Sequence, residues 1–433
     1  MKAVILAGGK GTRLGDLAKD IPKSLVPIAG KPLLDYQLEW LAREGVKEVL
    51  LLTGYLSEKI EAHCGDGSKW GLKCEYLVED TPLGTAGALK DAESKLPGEF
   101  LVVYGDVLVD IDLKNLMEFH QSKKDSVATL MVHPNDHPHD SDLIEFDGNH
   151  KITQFHGKPH DPNRWYHNQV NAAVYVLSPK IFSHLEKGKF ADLGRDVFPG
   201  LVKQENFYAY PSAEYLKDMG NPERLDAVER DVRSGKVSRL NRKNPRPAVF
   251  LDRDGVICPH QDYLHDAKDF RLFPEVPEAL KKLNKSDYLT VLVTNQPVVA
   301  RGLTDEAGVR EIHKKMESLL GQEGAKLDAI YFCPHHPDGG FEGERSEYKV
   351  NCECRKPGPG MIHQAAEFFN LDLTKSYIVG DTWRDIGAGR SAKLKACLGV
   401  KQAQGRVGEY RDQTPDQMFD SLAGAVDYIL QES

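Results

Sequence analysis

Five short apolar runs, AVILAG, EVLLLTG, KCEYLV, FLVVYGD and SVATLMV, punctuate the first 135 residues, with helix-patterned segments such as LLDYQLEWLAREGV between them. This alternation predicts an α/β domain with a mainly parallel sheet. From 140 to 220 the pattern loosens. DLIEFD and VNAAVYVL predict further strands of the same sheet, and SPKIFSHLEKG carries a Ser-Pro helix start. Residues 222–237, PERLDAVERDVRSGKV, read as a charged closing helix, and the polar SRLNRKNPRP that follows reads as a linker. At 247 the alternation restarts with PAVFLDRDG, YLTVLVTNQ, LDAIYFC and KSYIVGDTW, four strands spaced widely enough for helices. The expectation is two α/β domains, residues 1–242 and 243–433, with the chemistry at the C-terminal ends of strands.

The bulk numbers agree with two soluble domains: 433 residues, 28% charged and 40% hydrophobic, with no apolar run near the roughly 18 residues of a membrane span. A net charge of −9 disfavours non-specific nucleic-acid binding, so any phosphate recognised is expected to be small. The start MKAVILAGGKGTRL reads as a first strand and not a signal peptide, which places the protein in the cytoplasm. Seven cysteines, an odd number, argue for thiols and metal ligands over a disulfide framework. Cys64, Cys74 and Cys397 read as plain core or surface residues.

After the first strand, LAGGKGTRL joins a glycine-rich turn to Lys10 and Arg13, and DIPKSLVPIAGKP adds Lys23. Glycines let backbone N–H groups approach phosphate oxygens, and the cations neutralise the charge they meet. GGKGTR with the following PK resembles the signature of sugar-1-phosphate nucleotidyltransferases. PLGTAGAL (82–89), YGD ending at Asp106, GKP (157–159), VNAAVYVL (170–177) and YLKDMGNPERL around Asp218 recur in that family's order. The resemblance covers residues 1 to about 230 and implies a Rossmann-like, GT-A-like mixed sheet. It implies that Gly8, Gly9, Gly11, Thr12 and Arg13 hold a triphosphate and that Lys23 helps to neutralise the transition state. Gly84 and Thr85 would lie near base or sugar, Asp106 and Asp218 would hold Mg²⁺, Lys158 would grip the sugar phosphate and Asn171 a sugar hydroxyl. Two positions depart from the family where sugar is read. Gly157 replaces its Glu, and HPHDSDLIEFD replaces its arginine-tyrosine-glycine strand entry.

In the second half, FLDRDGVI sets Asp252 and Asp254 at a strand end, and VTNQ (Thr294), RKPGPGM (Lys356) and VGDTWRD (Asp381, Asp385) follow in order. These four motifs resemble those of haloacid dehalogenase superfamily phosphatases. The resemblance implies a Rossmannoid domain in which Asp252 is the nucleophile and Asp254 the acid and then the base. Mg²⁺ would sit on Asp252, the Asp254 carbonyl and Asp381. Thr294 and Lys356 would bind phosphoryl oxygens, with Asn295 beside them, and Asp385 would orient the metal shell or Lys356. Cys333-x-His335, sixteen residues and Cys352-x-Cys354 offer four zinc-type ligands and resemble the zinc loop of the heptose bisphosphate phosphatases. A Cys₃His set leaves no open position, so this Zn²⁺ is expected to be structural, presenting Arg355 to the distal part of the substrate beside Lys356. The resemblance also implies a substrate contact for Arg301, while His336 reads as a bystander beside the ligand His335, or as its substitute in a different register, and Cys258 as a small apolar residue.

Together the two resemblances imply a bifunctional enzyme of GDP-heptose biosynthesis for lipopolysaccharide. Heptose 1,7-bisphosphate loses its 7-phosphate, and heptose 1-phosphate then reacts with an NTP, GTP favoured, releasing pyrophosphate. No nucleic-acid or membrane partner is expected, and an oligomer is compatible with the sequence. Three readings stay open on sequence alone: the same reactions on another sugar phosphate, a histidinol phosphatase joined to a hexose-1-phosphate nucleotidyltransferase, and a non-catalytic nucleotide-sensing first domain.

Overall fold

A computed structural model describes residues 1–433 except 10, 12, 13, 16–18, 262, 341, 402–409 and 433. The chain divides into two compact units. Unit 1 comprises Met1–His133, Ser141–Lys158 and Gln169–Asn241. Unit 2 comprises Arg242–Ser433 together with Pro134–Asp140 and Pro159–Asn168. The second of these excursions is held within unit 2 by Tyr166 N donating to Ser318 Oγ at 3.0 Å and by His167 Nδ1 at 2.5 Å from Glu317 Oε2.

Unit 1 is built on a nine-stranded mixed sheet. Phe100–Tyr104, Lys2–Leu6, Glu48–Thr53 and Lys73–Val78 run parallel in that spatial order. Their runs are continuously apolar because both faces are covered. Ala3 and Ile5 pack with Leu34, Leu38 and Leu41 of helix Leu33–Arg43. Val4, pointing the other way, packs with Ala88 and Leu89 of helix Gly84–Asp91. Beyond this parallel core, Val170–Leu177 lies antiparallel to Phe100–Tyr104, and Leu143–Phe146 and Ile152–His156 form an antiparallel pair. A four-to-two register shift between Asn171 and Tyr175 makes a bulge that lets one strand serve several neighbours. The sequence pattern missed Ile152–His156, Phe207–Pro211 and the two-stranded pair Val107–Asp110 with Tyr215–Asp218.

The six strands of unit 2 are all parallel, in the chain order third, second, first, fourth, fifth, sixth. Ala396–Val400 and Gln417–Phe419 add to the four expected strands. The order reverses between Ala248–Leu251 and Tyr377–Gly380, and a crevice forms at such a reversal. Asp252 and Asp381 are the residues that leave those two strands. Among the described residues no helix is long and apolar enough to cross a membrane.

Candidate functional site

Unit 1 opens a cavity of about 360 Å³ where Lys2–Leu6 and Phe100–Tyr104 end, lined by Gly8, Gly9, Gly11, Lys23, Glu79, Gly84, Thr85 and Asp106 among others. A side chain at Gly8 would lie 2.9 Å from the Glu79 carboxylate oxygen Oε2, and one at Gly105 only 2.8 Å from the Leu6 carbonyl oxygen, so close backbone approach dictates the glycine at 105. Burial holds the Glu79 carboxyl above its ordinary value. Lys23 Nζ lies 2.6 Å from Asp106 Oδ2. Asp218 pairs across the short ladder with Val107, and Met219 N donates to the Asp106 carbonyl, so the backbones of the two expected metal ligands run side by side. The Asp218 carboxylate accepts from Arg224 at 2.8 and 3.0 Å. Carboxylate oxygens held by exchangeable cations are the donor type that suits Mg²⁺.

Thr12 and Arg13 lie outside the described residues. Lys158 and Asn171 do not line this cavity. They stand instead around two carboxylates that sequence reasoning missed, Asp142 and Asp192. Thr85 Oγ donates to Asp192 Oδ2 at 2.8 Å and accepts from Leu193 N, so its hydroxyl orders the loop that carries Asp192.

In unit 2 a cavity of about 260 Å³ lies over the crevice, lined by Asp252, Asp254, Asn295, Gln296, Arg301, Arg355, Lys356, Asp381, Arg384 and Asp385 among others. Asp252, Asp381 and Asp385 bring carboxylate oxygens within 4.8 Å of one another. A side chain at Gly255 would sit 2.2 Å from Asp381 Oδ2, so the glycine keeps that carboxylate open. Lys356 Nζ lies 3.0 Å from Asp252 Oδ1 and 2.5 Å from Asp385 Oδ1 and donates to the Val293 carbonyl at 2.7 Å. Asp385 Oδ2 accepts from Thr382 N and Oγ, capping helix Trp383–Ser391, so Asp385 is fixed and in turn fixes Lys356. Burial pushes the Asp252 carboxyl up to about 7, with Lys356 opposing and Asp385 and Asp254 reinforcing. The side chains of Asp252 and Asp254 keep 13% and 19% exposure, enough to meet a substrate.

One correction concerns a single residue. Thr294 is fully buried, its hydroxyl accepts from Gln296 Nε2 at 2.9 Å, and Asn295 and Gln296 line the cavity in its place. Thr294 lies inside strand Leu289–Asn295, whereas Asn295 and Gln296 stand at and just beyond its end, where the crevice opens. His336 stays outside the Cys₃His cluster, as the bystander reading beside His335 expected, and lines the cavity. Sequence reasoning also passed over Arg253. Its buried guanidinium reaches both Asp254 oxygens at 2.9 and 3.0 Å and Gln296 Oε1 at 2.8 Å, with His313 Nε2 3.4 Å behind. A charge inside an apolar strand end was the available signal.

Cys333, His335, Cys352 and Cys354 converge, with Sγ atoms 3.2 to 3.5 Å apart and His335 Nδ1 at 3.5 and 3.6 Å from Cys354 and Cys333. A zinc tetrahedron with Zn–S bonds of about 2.3 Å has S···S edges of about 3.8 Å, so small outward shifts would complete it. Hydrogen bonding to Cys333 draws the Cys354 thiol down to about 5. Arg355 donates to the His335 carbonyl at 2.9 Å, so the cluster anchors that guanidinium in the wall of the cavity.

Residues 2–235, more than half of the chain, match the nucleotidyl transferase family, and residues 353–425 match the HAD-hydrolase-like family. The chain belongs to the nucleotidyl transferase family through its first half and to the HAD-like sugar bisphosphate phosphatases through its second. It is 37% identical over 224 residues to a mannose-1-phosphate guanylyltransferase of Mycobacterium tuberculosis, an overlap of 51% of this chain and 61% of that one, so it spans less than two thirds of that relative. It is 40% identical over 177 residues to the D-glycero-beta-D-manno-heptose-1,7-bisphosphate 7-phosphatase of Photorhabdus laumondii, covering 41% of this chain and 92% of that protein. A crystal structure of the D,D-heptose 1,7-bisphosphate phosphatase from B. bronchiseptica, complexed with magnesium and phosphate, shares 35% identity over 43% of this chain and 99% of that chain, at a TM-score of 0.38.

Proposed function

We propose that this chain makes a nucleotide-activated heptose in two steps, removing the 7-phosphate of heptose 1,7-bisphosphate and then transferring a guanylyl group from GTP to heptose 1-phosphate. The carrying observation is the lining of the unit 2 cavity. Asp252, Asp381 and Lys356 form part of it and suit a reacting phosphoryl group. The remaining wall holds Arg301, Arg355, Arg384 and His336, cationic or proton-donating groups that suit a second phosphate on the same small molecule. The names of the phosphatase relatives support the sugar, and the guanylyltransferase relative supports GTP.

In the first step Asp252 attacks phosphorus, the bond from phosphorus to the C7 oxygen breaks, and Asp254 gives that oxygen a proton. Arg253 N and Lys356 both hold Asp252 Oδ1, which directs Oδ2 to phosphorus. Water then attacks the aspartyl phosphate, Asp254 takes its proton, and inorganic phosphate leaves with Asp252 regenerated. Asp252, the Asp254 carbonyl and Asp381 would hold Mg²⁺, whose charge offsets the repulsion between carboxylate and phosphate. In unit 1 the sugar phosphate oxygen attacks the α-phosphorus and pyrophosphate leaves. Lys23 and the glycine-rich turn neutralise the developing charge, and Asp106 and Asp218 would hold Mg²⁺. The Cys₃His cluster would hold Zn²⁺ as a structural tether for Arg355.

The test is phosphate release from synthetic D-glycero-D-manno-heptose 1,7-bisphosphate with NMR of the product, followed by addition of each NTP. Release from C7 and formation of GDP-heptose are expected. Faster turnover of histidinol phosphate or of a hexose bisphosphate would overturn the heptose reading.

A further inference from the structure

The two departures from the nucleotidyltransferase pattern meet at one carboxylate. Asp142, contributed by the atypical strand entry, accepts from Lys158 N at 3.4 Å through Oδ1, while its own carbonyl accepts from Asn171 N at 2.9 Å. It therefore stands between the two residues expected to read the sugar. A side chain at Gly157 would have just one atom within 4 Å, Asp142 Oδ1 at 3.9 Å, so the space that a residue before Lys158 would fill faces this carboxylate. Its other oxygen faces a second bare glycine. The point where Gly194 would carry Cβ lies 3.3 Å from Asp142 Oδ2, 3.5 Å from Asp192 Oδ1 and 3.6 Å from Asn171 Nδ2. Asp142 Oδ2 and Asn171 Nδ2 thus converge beside Gly194, next to Asp192 Oδ1, which caps the following turn by accepting from Gly194 N and Arg195 N. An acceptor and an amide donor from separate segments match a sugar hydroxyl, which gives one hydrogen bond and takes another. Asp192 is prefixed by Thr85, whose neighbour Gly84 lines the nucleotide-side cavity.

We propose that Asp142 is the specificity-determining carboxylate of the unit 1 site. It would accept a hydrogen bond from a hydroxyl of the incoming sugar 1-phosphate, and it replaces a carboxylate that Gly157 cannot supply. This rests on the nucleotidyl-transfer reading. A hydroxyl bound by a charged acceptor is read strongly, since an analogue lacking it desolvates the carboxylate without giving it that hydrogen bond.

The test uses the full chain with GTP and heptose 1-phosphate, mannose 1-phosphate and the four monodeoxy analogues of the latter at C2, C3, C4 and C6. Wild type, Asp142→Asn and the double variant Asp142→Ala/Gly157→Glu are compared, and phosphate release by unit 2 reports that each preparation is folded. Asp142→Asn is expected to raise KM for the sugar phosphate by about tenfold or more, with KM for GTP much less affected. The wild type should discriminate against one analogue, or against mannose relative to heptose, by a factor that Asp142→Asn erases. The relocated carboxylate of the double variant should restore part of that discrimination. Equal loss by Asp142→Asn on every sugar phosphate would assign Asp142 a merely structural hold on Lys158 and overturn the proposal, as would unchanged KM values. Failure of the wild type with every sugar phosphate and every NTP would instead sink the reading on which it rests.

Discussion

Lys356→Met tests the electrostatic logic of unit 2 most directly. The ammonium holds Asp252 at 3.0 Å, Asp385 at 2.5 Å and the Val293 carbonyl at 2.7 Å, and the side chain is 2% exposed. Methionine nearly conserves the volume, so the steric contribution is small. What remains is two buried carboxylates with their shared cation gone, which costs about 3–5 kcal/mol, and a carbonyl that loses its donor, about 1 kcal/mol. The expected destabilisation of unit 2 is therefore roughly 5 kcal/mol at pH 8 in Mg²⁺-free buffer. Its pH dependence has a definite sign. Asp252 already titrates at about 7, with Lys356 as the group pulling it down, so the variant moves it higher. A carboxyl whose folded value exceeds its unfolded value of about 3.9 binds extra protons when folded across that interval. Its penalty is absent below about pH 4 and grows as pH rises to the folded value. Variant and wild type share the same Asp252 slope below about pH 7, so their gap should stay flat from pH 5 to 7 and widen by up to about 1.4 kcal/mol between 7 and 8. Hydrogen exchange of strands Ala248–Leu251 and Leu289–Asn295, followed by mass spectrometry at pH 5, 6.5 and 8 with rates corrected for intrinsic exchange, reads this out. A gap below about 1 kcal/mol at pH 8, the worth of a surface pair, or a gap that does not change with pH, would refute the reasoning.

Four further outcomes are expected. Asp252→Asn should lower phosphate release at least about a thousandfold while GDP-heptose still forms from supplied heptose 1-phosphate, as a coupled nucleotide assay would register. Elemental analysis should find about one zinc per chain, and Cys354→Ser should lose it and raise KM for the bisphosphate as Arg355 loses its tether. Arg384→Ala should raise KM for heptose 1,7-bisphosphate about tenfold but leave that for heptose 7-phosphate nearly unchanged, since the distal phosphate is missing there. Gly105→Ala should destabilise unit 1 by about 1–3 kcal/mol in urea unfolding, because the new Cβ meets the Leu6 carbonyl at 2.8 Å.

Local order was legible in the chain. Buried parallel strands demand unbroken apolar runs, so both α/β patterns, their strand-end aspartates and the Cys-x-His/Cys-x-Cys spacing could be read directly. Where burial at a strand end or long-range pairing decides, reading failed. The hydroxyl of Thr294 turned inward, and Ile152–His156 and Phe207–Pro211 carried too weak a pattern to be placed. Arg253 drew no role from the sequence, yet its guanidinium clasps Asp254 and Gln296 in the fold. Nor does linear order reveal that Pro159–Asn168 belongs with residues 242 onward. Asp142 illustrates the division best. By itself the sequence determined that a glycine stands at 157 and that the strand entry is atypical. Only the tertiary structure decided that these two departures face each other, because strand register and a bulge at Asn171, set by contacts distant along the chain, bring a carboxylate from one strand over the bare backbone of another.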